Sequence, residues 1–315
     1  MVNMNASRRR FLAGTLVASA TVILLGACQH APKTGMSASR GAGRPNMLVS
    51  TEWLAKHAGD KALVVLHVGR RAQYDSGHLA GARFVALSDI SKPAATGQLS
   101  LQMPPVEQLV KWAQTNGIGD KSRIIVVPHD DTLQSAARVF LTLAYLGAID
   151  RTSMLDGGYK SWRAEGRSTS MSVPPAAPMT KFTPHPRPEL IATIETVETA
   201  THDGRLSLVD ARLPRFYNGD GGGFPRPGHI PTAVNVPFST VSESGHFKAP
   251  TELHRLFTDA GVVDGKPVVT YCHIGQQASL LWFVATMLGY DASMFDGSFQ
   301  EWSGAERLPV VAPKK

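Results

Sequence analysis

Two α/β domains in tandem, each a mainly parallel sheet flanked by helices, are the fold this sequence predicts, and three observations predict it. The chain repeats itself at domain scale. Within each half, short apolar runs of strand length alternate with helix-length apolar segments, the pattern of a parallel sheet covered on both faces. Between the halves lies a proline-dense break. A length of 315 residues, 43% of them hydrophobic and 18% charged, lets each half bury its own core.

The chain opens with Ser7-Arg8-Arg9-Arg10-Phe11-Leu12 before an apolar stretch, Leu16 to Leu25. A basic start followed by a short hydrophobic segment is an export signal. The paired arginines before Phe-Leu resemble the twin-arginine signal of bacteria, and the apolar stretch is short for a membrane span. It ends in Leu25-Gly26-Ala27-Cys28, which resembles a lipobox. Residues 1–28 are therefore expected to direct export, with cleavage before Cys28 and a lipid on its sulfur. The expected location is the bacterial periplasm, with the membrane met only through that lipid. A soluble periplasmic protein cut near Ala27, or a retained signal anchor, is the alternative. Residues 29–45, small, polar and basic, read as a tether.

The first domain is placed at residues 46–171 and the second at 189–312. Gly77-His78-Leu79-Ala80-Gly81-Ala82 in the first is answered by Gly228-His229-Ile230-Pro231-Thr232-Ala233 in the second. Strand-like runs precede each, Ala62 to Leu66 and Leu206 to Asp210, and second runs follow, Ile124 to Val127 and Val268 to Tyr271. Helix-length segments come next, Ala136 to Gly147 and Ala278 to Gly289. Each half closes alike, with Leu155-Asp156-Gly157-Gly158 before Trp162 and Phe295-Asp296-Gly297-Ser298 before Trp302. Residues 172–188 hold Pro174, Pro175, Pro178, Pro184, Pro186 and Pro188. That density forbids helix or central strand and predicts an extended linker.

The formal net charge is +7, and three of those charges are the leader arginines. A mild positive balance suits small anionic substrates. No lysine-rich run and no interleaving of basic with aromatic residues exists, which argues against nucleic-acid binding. Only two cysteines occur, Cys28 and Cys272, so no disulfide framework is possible. Histidines such as His78, His129, His202, His229, His246, His254 and His273 show no close ligand spacing with a second cysteine, so no metal and no cofactor are expected.

Cys272 ends the run Val268 to Tyr271, where parallel sheets bind their ligands. His273-Ile274-Gly275-Gln276-Gln277-Ala278 follow, with a helix expected to begin near Ser279. A loop between strand end and helix start turns backbone N–H groups inward, and the helix adds partial positive charge. A thiol cupped there is expected to be largely thiolate and open to attack from solvent. The same N–H groups suit a persulfide or a bound oxyanion. Gly275 permits the tight curl. Inert burial is the ordinary fate of a lone cysteine, and the strand–loop–helix setting argues against it here.

The segment Tyr-Cys-His-Ile-Gly-Gln-Gln-Ala-Ser, with Phe-Asp-Gly-Ser-Phe-x-Glu-Trp after it and Gly-His-Ile-Pro before it, resembles the active domain of tandem rhodanese-family sulfurtransferases. The resemblance covers nearly the whole mature chain. It implies a catalytic second domain and a first domain that closes the cleft. The first half agrees, since its corresponding run ends at Pro128-His129-Asp130 with no cysteine. The implied reaction is double displacement. Cys272 takes sulfane sulfur from a small anionic donor such as thiosulfate and passes it to cyanide or a thiol. His273, Ile274, Gly275, Gln276, Gln277 and Ala278 would line the substrate. Arg212, in Val-Asp-Ala-Arg, matches the arginine of the family's Asp-x-Arg motif and would bind the substrate anion, with Asp210 as its anchor and His229 holding the turn. A surface salt bridge is the alternative for Arg212.

The chain also departs from the pattern. His273-Ile274 matches neither the two cations of many thiosulfate-specific members nor the Gly-Ser of many mercaptopyruvate-specific ones. His67 stands where the second half has Asp210, and Thr232 replaces a glycine. Cysteine phosphatases share this fold with a Cys-x5-Arg loop, but Ala278 occupies the arginine position. A sulfur carrier that turns over slowly, or a 3-mercaptopyruvate sulfurtransferase, are the other readings.

Overall fold

The computed structural model describes residues 43–312. The segment expected to direct export, Cys28 and nearly all of the expected tether lie outside the described residues. The first half runs β1 (Leu48–Val49), α1 (Thr51–His57), β2 (Leu63–Val68), α2 (Arg71–Ser76), β3 (His78–Leu79), β4 (Arg83–Val85), α3 (Val106–Thr115), β5 (Arg123–Pro128), α4 (Leu133–Tyr145), β6 (Thr152–Leu155), α5 (Gly158–Ala164) and β7 (Thr169–Ser170). The second runs β8 (Ile191–Ala192), α6 (Ile194–Asp203), β9 (Ser207–Asp210), α7 (Pro214–Tyr217), β10 (Val234–Asn235), β11 (Ser242–Glu243), β12 (His246–Phe247), α8 (Pro250–Ala260), β13 (Val268–Tyr271), α9 (Gln276–Met287), β14 (Ala292–Phe295) and α10 (Ser298–Gly304).

The first sheet has the order β1-β6-β5-β2-β4 and the second β10-β9-β13-β14-β8, every pairing parallel. The two orders are the same once the sequence repeat is laid over them, so the predicted α/β tandem is what the chain forms. The β-branched runs at the sheet centres, Ile124 to Val127 and Val268 to Thr270, are buried on both faces, as a strand covered by helices on each side must be.

The helices α4 and α9 pack against each other between the sheets. Both are buried nearly all round, α9 being almost wholly apolar, as an enclosed helix can be. One hydrophobic core therefore runs through both halves. Phe140 of α4 meets Phe283 of α9 edge to face, centroids 4.8 Å apart, and each such buried ring contributes about 1.5–3 kcal/mol. Smaller clusters close the two outer faces, one around Tyr159 and Trp162, the other around Tyr271, Phe299 and Trp302. The segment 172–187 carries no helix or strand. It is tied to the first half by Thr180 Oγ1 donating to the Ile118 carbonyl at 2.8 Å and by Thr183 N donating to Asp120 at 2.6 Å.

Candidate active site

Cys272 follows β13 directly, and β13 lies between β9 and β14 in the middle of the second sheet. Gly275 then turns the chain with φ of 90° and caps α9, a conformation open to glycine at little cost. This turn aims the Gly275 N–H at Cys272 Sγ, 3.2 Å away. Helix α9 starts at Gln276, three residues before the expected Ser279, because Gly275 completes the whole reversal by itself. Gln276, Gln277 and Ala278 thus form the first helical turn instead of a loop, and Ala278 is buried.

The loop is also held from below. The Cys272 N–H donates to Ser298 Oγ at 3.2 Å, and that hydroxyl donates to the Phe295 carbonyl at 2.9 Å. Ser298 has φ of 52°, at the place where the first half has Gly158 with φ of 57°. A non-glycine residue held left-handed costs about 1–2 kcal/mol, and such strain gathers where a side chain is used. The Phe299 and Gln300 N–H groups donate to the Cys272 and His273 carbonyls, each at 3.0 Å. Sequence spacing gave no hint of Ser298; its signal is a serine where the repeat has glycine.

The thiol itself is 1% exposed and packs in the central core. The expectation of a sulfur open to solvent is therefore corrected. Helix α9 begins at once behind Gly275, and beside the cysteine the rings of Phe216 and Phe224 flank His273, at 4.8 Å and 5.6 Å. Among the described residues, one main-chain N–H, that of Gly275, hydrogen-bonds the sulfur.

Arg212 and Asp210 are both buried. Arg212 Nε donates to both Asp210 oxygens at 3.0 Å, and Nη2 donates to Oδ2 at 2.6 Å and to the Gly228 carbonyl at 2.7 Å. The guanidinium lies over the Phe299 ring, 4.1 Å from its centroid. Burial opposes its charge, but the Asp210 hydrogen bonds and charge overcome this and hold it above its ordinary value, with a contribution from nearby Cys272. The arginine is thus a fixed cation within electrostatic reach of the sulfur. Asp210 holds it through these hydrogen bonds. His229 donates from Nδ1 to the Tyr217 carbonyl at 2.8 Å and stacks on that ring at 3.8 Å, which braces the turn.

His273 is held below its ordinary pKa by burial first and by the Arg212 charge second, with Gln277 and Asp210 opposing. It is a neutral imidazole at pH 7. Ile274 is half-buried and supplies only main-chain groups to an anion. Gln276 turns away toward the first half, where its Nε2 donates to Ser135 Oγ at 2.8 Å.

The first half shows what an emptied version of this site looks like. His67 pairs with Val127 in register as Asp210 pairs with Tyr271, which puts Pro128 at the place of Cys272 and Gly69 at the place of Arg212. The space is filled by imidazoles, His67 Nε2 lying 2.9 Å from His129 Nδ1. A Cβ at Gly69 would stand 3.1 Å from His129 Cβ, so glycine leaves the imidazole uncrowded. Nucleophile and fixed cation are both missing there. Among the described residues no group of three or more His, Cys, Asp or Glu could hold a metal ion, and no helix is long and apolar enough to cross a membrane.

Residues 50–165 and 193–305 each match the rhodanese-like domain. The sulfur carrier protein TtuD of Thermus thermophilus is 30% identical over 287 residues, spanning 86% of this chain and 98% of that protein. The thiosulfate sulfurtransferase of Corynebacterium glutamicum is 31% identical, over 84% of this chain and 90% of its own. Among solved structures, SseA from Escherichia coli, described as a 3-mercaptopyruvate sulfotransferase, superposes with a TM-score of 0.72 at 26% identity, covering 80% of this chain and 98% of that one. A tandem fold with one thiol-bearing loop, matched over nearly its full length by these proteins, belongs to the rhodanese-like family.

Proposed function

We propose that this protein is a rhodanese-type sulfurtransferase that carries sulfane sulfur on Cys272. The observation that carries the reading is the Gly275 N–H directed at Cys272 Sγ at the head of α9. The amide and the helix terminus there face the sulfur that attacks and is then released. They serve the thiolate and, with a small shift, the persulfide. In the first step the Cys272 thiolate attacks the outer sulfur of thiosulfate. The sulfur–sulfur bond of the donor breaks, its electron pair leaves with sulfite, and Cys272 holds a persulfide. In the second step cyanide or a thiolate attacks the terminal sulfur, and the pair of the breaking bond returns to Sγ. Arg212 spends its hydrogen bonds on Asp210 and the Gly228 carbonyl, so it contributes its charge interaction with nearby Cys272 and leaves the direct contacts to main-chain groups.

The cover over Sγ restricts the donor to a small molecule that threads the loop. The neutral His273 and apolar Ile274 leave the choice between thiosulfate and 3-mercaptopyruvate to a direct comparison of kcat/KM. Cys272→Ser is expected to abolish thiosulfate:cyanide turnover with the fold retained; turnover in that variant removes the nucleophile. The absence of loop cations, with a neutral His273 and an apolar Ile274 after the cysteine, favours a second reading, a carrier that loads sulfur and delivers it to a partner. Rapid persulfide formation with slow discharge to cyanide would mark it. The proposal for the leader is export through the Arg9-Arg10 signal and lipidation of Cys28, which places the protein in the periplasm. Mass spectrometry of the exported protein tests it, a diacylglycerol adduct supporting the anchor and a bare or absent Cys28 refuting it.

A further inference from the structure

The loop that carries Cys272 rests on a buried cation from the other half of the chain. Arg138 of α4 is fully enclosed. Its Nη1 makes an ion pair of 2.7 Å with Asp296 Oδ1, just beyond β14. Nη2 donates to the Leu101 carbonyl at 2.6 Å. The guanidinium lies directly against Gly275: a Cβ on that residue would stand 3.3 Å from Nη1 and 3.2 Å from the Asp296 carbonyl. Asp296 is in turn gripped by the first half, accepting the Met103 N–H at 2.7 Å and, on its carbonyl, Gln102 Nε2 at 3.1 Å. One turn before Arg138, Ser135 accepts Gln276 Nε2 at the first position of α9. Of the residues on either side of the Gly275–Gln276 bond, Gln276 is thus hydrogen-bonded to α4 and Gly275 lies against its Arg138.

The internal repeat supplies a control. Asp156 occupies in the first half the place of Asp296, and its side-chain partners are the half-exposed His246 at 2.9 Å and the Phe247 N–H at 3.0 Å. Counting back equally from Leu146-Gly147 and Leu288-Gly289 matches Arg138 with Leu280. The buried guanidinium therefore exists only beneath the loop that holds a cysteine. A buried ion pair is a poor stabiliser, because desolvation consumes most of its Coulomb gain, so an ordinary core leucine would serve packing as well or better. A pair kept on the reactive side alone is a device for holding geometry.

We infer that Arg138 is a positioning residue for sulfur transfer: acting through Asp296 and Gly275, with Ser135 beside it, it sets the Gly275 N–H on Cys272 Sγ. The half without the thiol is then a working part of the site. This rests on the Cys272 persulfide reading above.

The test compares the full-length wild type with Arg138→Met, Arg138→Lys, Asp296→Asn, Arg138→Met/Asp296→Asn and Ser135→Ala. Each is assayed for kcat and KM with thiosulfate and for the single-turnover rate of persulfide formation, at a temperature where circular dichroism shows it folded. Displacing a reacting group by a fraction of an ångström to an ångström lowers rates by about 10- to 100-fold. Arg138→Met and Asp296→Asn are each expected to lose kcat in that range with KM within about twofold, the double variant no worse than either single one. Arg138→Lys should regain part of the rate. A folded Arg138→Met with wild-type persulfide formation overturns the inference, as does a loss confined to KM. If Arg138→Met does not fold, Ser135→Ala decides: a loss of about threefold in kcat is expected from one hydrogen bond, and an unchanged kcat overturns the proposal. A wild type that forms no persulfide on Cys272 instead removes the sulfur-transfer reading itself.

Discussion

Replacing Asp210 by Asn should destabilise the protein by about 3–5 kcal/mol, the range for breaking one side of a buried ion pair. The carboxylate accepts four hydrogen bonds from Arg212: the main-chain N at 2.9 Å, Nε on both oxygens at 3.0 Å, and Nη2 at 2.6 Å. Both side chains are essentially without solvent, so no water can replace the lost charge. The asparagine amide keeps the shape but turns an NH2 toward donors that need an acceptor. What remains for the cation is the Gly228 carbonyl and the Phe299 face, the latter worth about 0.5–2 kcal/mol. Urea unfolding followed by tryptophan fluorescence is the assay, since Trp282 and Trp302 are buried in both inner and outer cores. With an m-value near 3 kcal/mol/M, the midpoint should fall by about 1 M or more. A loss below about 1 kcal/mol is what an exposed pair gives, and would refute the claim that Arg212 is a fixed, dehydrated cation.

Other perturbations follow from the same geometry. Burial first, then the charges of His129 and His78, push the His67 pKa from 6.5 to about 3. The unfolded chain thus binds this proton before the folded one: the stability is complete above pH 6.5 and lost as pH falls toward 3, by about 5 kcal/mol in all at ~1.4 kcal/mol per pH unit. His67→Gln should flatten that acid limb, and an unchanged pH profile of unfolding contradicts the assignment. Thr232 is a β-branched residue at φ of 65°, in the place of Gly81 of the first half. Thr232→Gly should stabilise by about 0.5–1 kcal/mol, strain relief outweighing the entropy of glycine; a lower melting temperature contradicts this. Gly275→Ala places a methyl against Asp296 and Arg138 in a left-handed turn. It should cost about 2 kcal/mol and slow persulfide formation, and a variant as stable and as fast as wild type denies the strained turn.

The repeat made the fold legible. Two sets of matched runs, each with its Gly-His motif and closing Trp, fix strand order because parallel βαβ connections leave few choices. Cys272 was legible too, as a cysteine between a buried strand and a glycine. The start of α9 was misjudged because glutamines carry no apolar periodicity, and only the φ of Gly275 reveals that the turn ends there. Burial of Sγ and of Arg212 could not be read from local sequence: the sulfur lies in a core assembled from both halves, and Arg212 lies under the Phe299 ring brought in by another segment. Arg138, Ser135 and Ser298 escaped for the same reason. Each acts across the fold, Ser135 on Gln276 from 141 positions away, and no spacing rule records such a contact.

The central claim is that Cys272 accepts and releases a single sulfur atom. Incubation of the full chain with thiosulfate, removal of excess donor, and peptide mass spectrometry under non-reducing conditions tests it most directly. The peptide containing Cys272 should gain the mass of one sulfur and lose it on addition of cyanide, with thiocyanate formed in equal amount. A Cys272 peptide of unchanged mass, or a gain at another residue that survives Cys272→Ser, contradicts the account.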